Sequence, residues 1–166
     1  MVYLKKILVT TDLSEFSLAA LEYASSFGLL FVSKIYILYV NDPGASVFVT
    51  HGHDATQKDQ HPRTEREAQE ALEEFVMQNV KPDVNLTRVV RTGVPADEIR
   101  KFAEEEGVDM IVLATHGRTG LKHILMGSVA EKTVRLSSIP VLTVKPRPLR
   151  ENNLKSEDVE KELHLR

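Results

Sequence analysis

Five short apolar runs alternate along the chain with four stretches of helical spacing. Residues 4–11, Leu-Lys-Lys-Ile-Leu-Val-Thr-Thr, centre on an unbroken Ile7-Leu8-Val9 and predict a first strand. Asp12-Leu13-Ser14-Glu15 reads as a helix start with Ser14 as its N-cap. Phe16, Ala19, Ala20, Tyr23, Ala24 and Phe27 follow at helical spacing, and Gly28 is the expected stop. A second β-rich run covers 33–40. A second helix is expected from Arg63, with Ala68, Ala71, Leu72, Phe75, Val76 and Asn79 on one face. Residues 84–91 predict a third strand. Val94-Pro95-Ala96-Asp97-Glu98 opens a third helix, with proline at its start and acids in its first turn. Residues 109–114 form a fourth run without alternation, as expected of a strand buried on both faces. A fourth helix falls within 115–138, and Pro140–Val144 is a fifth strand. Strands alternating with helices imply βαβ units and a mainly parallel sheet covered on both faces.

Between these elements, residues 41–62 carry Asn41, Asp42, Pro43, Gly44, Gly52 and Pro62 with little periodicity and read as a long loop. The domain is expected to occupy 1–146, followed by a polar tail at 147–166 with a short helix around Ser156–His164.

Composition narrows the function classes. Of 166 residues, 42% are apolar and 27% charged, ordinary proportions for a globular chain. No apolar run approaches a membrane span, and the N-terminus lacks the pattern of a cleaved leader, so a cytoplasmic protein is expected. The absence of cysteine excludes disulfides and thiolate chemistry. A net charge of −3 argues against a general nucleic-acid binder.

In an open parallel sheet, ligands bind beyond the carboxyl ends of the strands where strand order reverses. Two segments are candidates for that rim: Thr10-Thr11-Asp12 after the first strand, and Ala114 to Gly120 running on to Gly127-Ser128-Val129-Ala130 after the fourth. Glycines in the second segment allow close backbone approach. Ser128-x-x-Glu131 has the capping-box form, and a helix start suits phosphate. Taken alone, Gly117 and Gly120 are also consistent with a plain turn, Ser128 with a plain cap, and Asp12 with a turn residue. Arg118 reads equally as a ligand contact or a solvated cation, and His116 as a γ-phosphate contact or a loop-positioning group. His51, His53 and His61 match no metal-ligand spacing and read as a solvated loop; Glu104-Glu105-Glu106 reads as a solvated helix end.

Several of these segments together resemble the universal stress protein family. They are Lys6-Ile7-Leu8-Val9, Thr11-Asp12-Leu13-Ser14-Glu15, Gly93-x-Pro95, Thr115-His116-Gly117-Arg118-Thr119-Gly120, Gly127-Ser128-Val129-Ala130-Glu131 and Ile139 to Val144. ATP-binding members carry Gly-x2-Gly-x9-Gly-Ser/Thr. Here Gly117, nine residues, Gly127 and Ser128 fit, whereas Ala114 stands at the first glycine position. The resemblance implies a five-stranded parallel sheet of order 3-2-1-4-5, of the Rossmann-like, adenine nucleotide alpha hydrolase-like type. It further implies Thr11 and Asp12 at the adenosine end, and Val40 meeting adenine through its backbone. Ala114, Gly117, Arg118, Gly127, Ser128 and Val129 would surround ribose and phosphates.

That resemblance implies an ATP-binding regulatory protein, with ADP or AMP as alternative ligands, Mg2+ as a companion ion left open, and a protein partner left unnamed. It also implies a homodimer paired through strand 140–144. No Walker-type Gly-Lys-Ser/Thr and no acidic pair placed for magnesium point to a dedicated enzyme. Two other readings stay open: a slow ATP phosphohydrolase or nucleotidyl transferase using His116, Asp12 and Ser128, and an interaction module without nucleotide, which Ala114 mildly favours.

Overall fold

The computed structural model describes residues 3–44, 64–116 and 126–146. Its elements, in chain order, are β1 (Lys6–Thr11), a 3-10 turn (Glu15–Ser17), α1 (Leu18–Phe31), β2 (Lys34–Asn41), α2 (Glu65–Asn79), β3 (Leu86–Thr92), α3 (Pro95–Glu106), β4 (Met110–Ala114), α4 (Ser128–Leu136) and β5 (Val141–Val144). One sheet holds all five strands in the order β3-β2-β1-β4-β5, as expected. All four pairings are parallel. In register, Leu8 lies between Tyr36 and Ile111, and Val9 between Ile37 and Val112.

Side chains alternate across the pleat and build two cores. Ile7, Val9, Ile35, Ile37 and Tyr39 face Ala20, Leu21 and Ala24 of α1 and Ala68, Leu72 and Val76 of α2. Leu8, Tyr36, Leu38, Ile111 and Leu113 face Ile99, Phe102 and Ala103 of α3 and Ala130 of α4. Crossovers from β1 thus lie on one face and those into and out of β4 on the other. Strand order reverses between β1 and β4, and their carboxyl ends diverge into a crevice.

Three local readings are corrected. Gly28 does not stop α1. The helix runs to Phe31 and closes on Val32 in the left-handed conformation, at φ 55° and ψ 42°. A Cβ on Gly28 would run into Cδ1 of Ile35, so this glycine permits close helix–strand packing rather than a cap. Ser14 does hold the N-cap position, of the 3-10 turn, but makes no side-chain cap bond there; its hydroxyl donates to Asp12 instead. Ser128 is the first helical residue of α4, not its cap. Gly127 holds the cap position, in extended conformation, without a side-chain cap bond. The capping box sits elsewhere: Thr64 Oγ1 accepts from Glu67 N–H, and the Glu67 carboxylate accepts from Thr64 N–H.

The acidic run at the end of α3 is also more than a solvated end. Glu104 pairs with Arg100, Glu105 with Arg91, and Glu106 accepts from Tyr36 Oη at 2.7 Å. Strand bounds shift by one or two residues, and β2 ends at Asn41 rather than Val40. Of the loop expected over 41–62, the part from residue 45, with His51, His53 and His61, lies outside the described residues, as does the tail expected from 147.

Candidate functional site

Segments leaving β1, β2 and β4 frame the crevice. After β1, the Thr11 hydroxyl meets Ser17 Oγ at 2.8 Å and accepts from Leu13 N–H at 2.9 Å. This clasp holds Leu13 at φ 65°, a left-handed backbone that a leucine rarely adopts. The chain therefore turns sharply at the strand end and carries Asp12 onto the rim. Asp12 Oδ1 accepts from Ser14 N–H at 3.1 Å and from Ser14 Oγ at 2.5 Å. Its turn role is thus present, whatever else its carboxylate meets. Thr11 itself is only 8% exposed and acts through this turn.

At the end of β2, Val40 packs on the α3–α4 side of the sheet, and Asn41 comes next, buried. Gly93 N–H donates to the Asn41 carbonyl at 3.0 Å, tying β2 to the turn before α3.

On the far side of the crevice, Ala114 ends β4 in register with Val144. Thr115 N–H donates to the Val144 carbonyl, and the Thr115 carbonyl accepts from Gly127 N–H at 2.7 Å. That bond folds the start of α4 back onto the end of β4. A Cβ on Gly127 would stand 3.3 Å from the same carbonyl oxygen, so glycine is favoured here by close approach. Its φ of −67° and ψ of 155° are open to any residue. Because its N–H is already engaged, Gly127 is not a donor toward an anion. The next N–H groups in the first turn, on Ser128, Val129 and Ala130, have no intrahelical acceptor. They converge with the exposed Ser128 hydroxyl and the positive end of the α4 dipole. His116 is 7% exposed and its Nδ1 lies 2.9 Å from Thr115 Oγ1, a contact that positions the segment leaving β4.

The structure thus brings Thr11, Asp12, Val40, Ala114, Gly127, Ser128 and Val129 to one end of the sheet. Gly117 and Arg118 lie outside the described residues. Sequence reasoning missed two contributors. Asn41 reads from sequence as the first residue of the adjoining loop, although a polar residue closing the run Ile-Tyr-Ile-Leu-Tyr-Val is a signal. The Thr115 carbonyl leaves no trace in residue type. Among the described residues, no cluster of three or more His, Cys, Asp or Glu could hold a metal, and no helix is long and apolar enough to cross a membrane.

A doubly wound parallel sheet with glycine and an uncapped helix start at its reversal point is the architecture of α/β proteins that bind ligands at that point. The model of the universal stress protein family matches residues 4–145, and the chain belongs to that family. Universal stress protein MJ0531 of Methanocaldococcus jannaschii is 38% identical over 141 residues, covering 85% of this chain and 82% of the relative. MJ0577 of the same organism is 35% identical over 153 residues, covering 85% and 94%. Its solved structure superposes with a TM-score of 0.68 at 31% identity, covering 88% of this chain and 99% of that one. A universal stress protein from Archaeoglobus fulgidus, solved in complex with dAMP, has the same fold, with a TM-score of 0.59 at 21% identity, covering 87% and 100%.

Proposed function

We propose that this protein binds an adenine nucleotide, ATP in the first instance, across the carboxyl ends of β2, β1 and β4, and acts as a regulatory protein through the conformation that the nucleotide stabilises. The observation that carries the reading is the folding of the α4 start onto Thr115, which leaves the N–H groups of Ser128, Val129 and Ala130 without intrahelical acceptors at the end of the sheet that also carries Asp12. Backbone donors and a helix dipole suit phosphate, and an aspartate across the crevice suits ribose hydroxyls. A related protein of the same fold was solved with dAMP, which supports an adenine nucleotide as the ligand class.

In this reading Ser128 and Val129 donate to phosphate through their N–H groups, and Ser128 adds its hydroxyl. Ala114 lets the β4 backbone stand near the ligand, Val40 offers its peptide group to the base, and Asp12 holds the ribose. Gly117 and Arg118 continue the phosphate loop. A magnesium ion would ride on the phosphates. The uncharged edge strand β5 (Val141-Leu142-Thr143-Val144) would pair with its copy in a homodimer, removing an exposed sheet edge.

Nucleotide released from purified, then denatured, protein and identified by mass spectrometry tests the ligand. Adenine nucleotide near one per chain is expected. No released nucleotide, together with no titration heat at millimolar ATP, ADP or AMP, would overturn the reading. Light scattering should give twice the 18.7 kDa chain mass.

A further inference from the structure

Among the described residues, Asn41 Oδ1 is the buried side-chain oxygen or nitrogen without a hydrogen-bond partner. Asn41 is 4% exposed. Native structures rarely leave such an atom unmatched, because a buried acceptor that has lost water and gained nothing is costly. Its place in the fold makes the unmatched oxygen informative. Asn41 shares a pleat face with Ile35, Ile37 and Tyr39, and Tyr39 is in register with Thr11. The amide therefore lies one step beyond the Tyr39–Thr11 pair, at the rim where β1 turns away through Asp12 and Leu13. Its backbone is fixed, since its carbonyl accepts from Gly93 N–H and Asn41 pairs with Thr92. From β2 to β4 is two strand spacings, about 10 Å. A nucleotide with phosphates at Ser128 that crosses the carboxyl end of β1 brings its base to the end of β2, where the strand closes on Asn41.

We infer that the Asn41 side-chain amide reads the base edge, with Oδ1 accepting a hydrogen bond from the 6-amino group of adenine. An amide presents an acceptor and a donor side by side, which matches the adjacent amino group and ring nitrogen of adenine. Hypoxanthine has a carbonyl oxygen in place of the amino group, so an amide held with Oδ1 toward the 6-position sets acceptor against acceptor. Rejection of a ligand lacking the matching donor is the large effect expected of a buried polar group. This inference rests on the adenine-nucleotide reading above and adds a specificity-determining residue to it.

The test compares ATP with inosine triphosphate by titration calorimetry on wild type, Asn41→Leu and Asn41→Asp. Wild type should favour ATP at least tenfold. Asn41→Leu should weaken ATP and leave inosine triphosphate unchanged, bringing the ratio near one. Asn41→Asp keeps the acceptor and should keep the preference. Without nucleotide, Asn41→Leu should melt at or above the wild-type temperature, because it removes an unmatched polar group. Asn41→Ala serves as a second variant if leucine disturbs the rim. An ATP preference that survives both Asn41→Leu and Asn41→Ala would overturn the role of Asn41 alone. A wild type that binds neither nucleotide would overturn the adenine-nucleotide reading itself.

Discussion

At the amino ends of the strands, polar groups are matched among themselves. Asp109 Oδ2 accepts from the N–H groups of Lys5 and Lys6 at 2.7 and 2.8 Å. Lys6 Nζ donates to the Glu106 carbonyl, Tyr36 Oη donates to the Glu106 carboxylate, and Ser33 Oγ donates to the Leu4 carbonyl. The Lys34 ammonium lies 4.4 Å over the Tyr36 ring. At the carboxyl ends, by contrast, capacity is left over. Asn41 Oδ1 has no partner, the α4 start has no side-chain cap, and a left-handed leucine is held in place beside Asp12. Both ends belong to the same sheet and the same strands. An unmatched acceptor and an uncapped helix start therefore set the carboxyl end apart, as the proposed ligand site requires. The amino end is built for stability.

The largest effect should come from breaking the closed end. Asp109→Ala leaves two backbone N–H groups without their acceptor and should cost about 2 kcal/mol in denaturant unfolding. Nucleotide affinity should stay within about twofold of wild type, a fraction of the roughly 1.4 kcal/mol that a tenfold change represents. A large affinity loss without a stability loss would reverse the assignment of the two ends.

The open end should respond in the opposite sense. Gly127→Val keeps an allowed backbone, since φ is −67° and ψ is 155°, but its side chain crowds the Thr115 carbonyl and the space before Ser128. ATP affinity should fall at least tenfold, roughly 1.4 kcal/mol, with a smaller loss of stability in melting. Unchanged melting with unchanged affinity would remove phosphate from this helix start.

The smallest effect should be a gain. Val32 is 90% exposed and sits in the left-handed region at the close of α1, where a β-branched residue is strained. Val32→Gly should stabilise the domain by about 1 kcal/mol, read by thermal melting, and leave ATP affinity unaltered.

Much of this contrast was legible in the chain, but unevenly. The unbroken apolar centres of β1 and β4 declared a sheet buried on both faces, because a strand covered twice needs no polar face. Pro95 with Asp97 and Glu98 marks the start of α3, which begins at Pro95. The glycines were harder to read. Gly28 resembled a helix stop, yet its lack of a side chain serves Ile35 on the neighbouring strand, a contact that sequence spacing does not encode. Ser128-x-x-Glu131 and Thr64-x-x-Glu67 carry the same signature, but only the second forms a capping box. In the first, the hydrogen bond from Gly127 to Thr115 makes glycine the cap and moves serine one position into the helix. Asn41 escaped notice because burial and the lack of a partner are properties of the assembled rim, not of the residue.

Nucleotide at the carboxyl end of the sheet, and not at the amino end, is a statement that backbone amide NMR can check residue by residue. In the uniformly labelled protein titrated with ATP, the largest shifts should fall on Asp12, Leu13, Asn41, Gly127, Ser128 and Val129. Lys6, Ser33, Lys34, Gly107 and Asp109 should stay where they are. Shifts concentrated at those amino-end residues, or none anywhere at millimolar ATP, would contradict it.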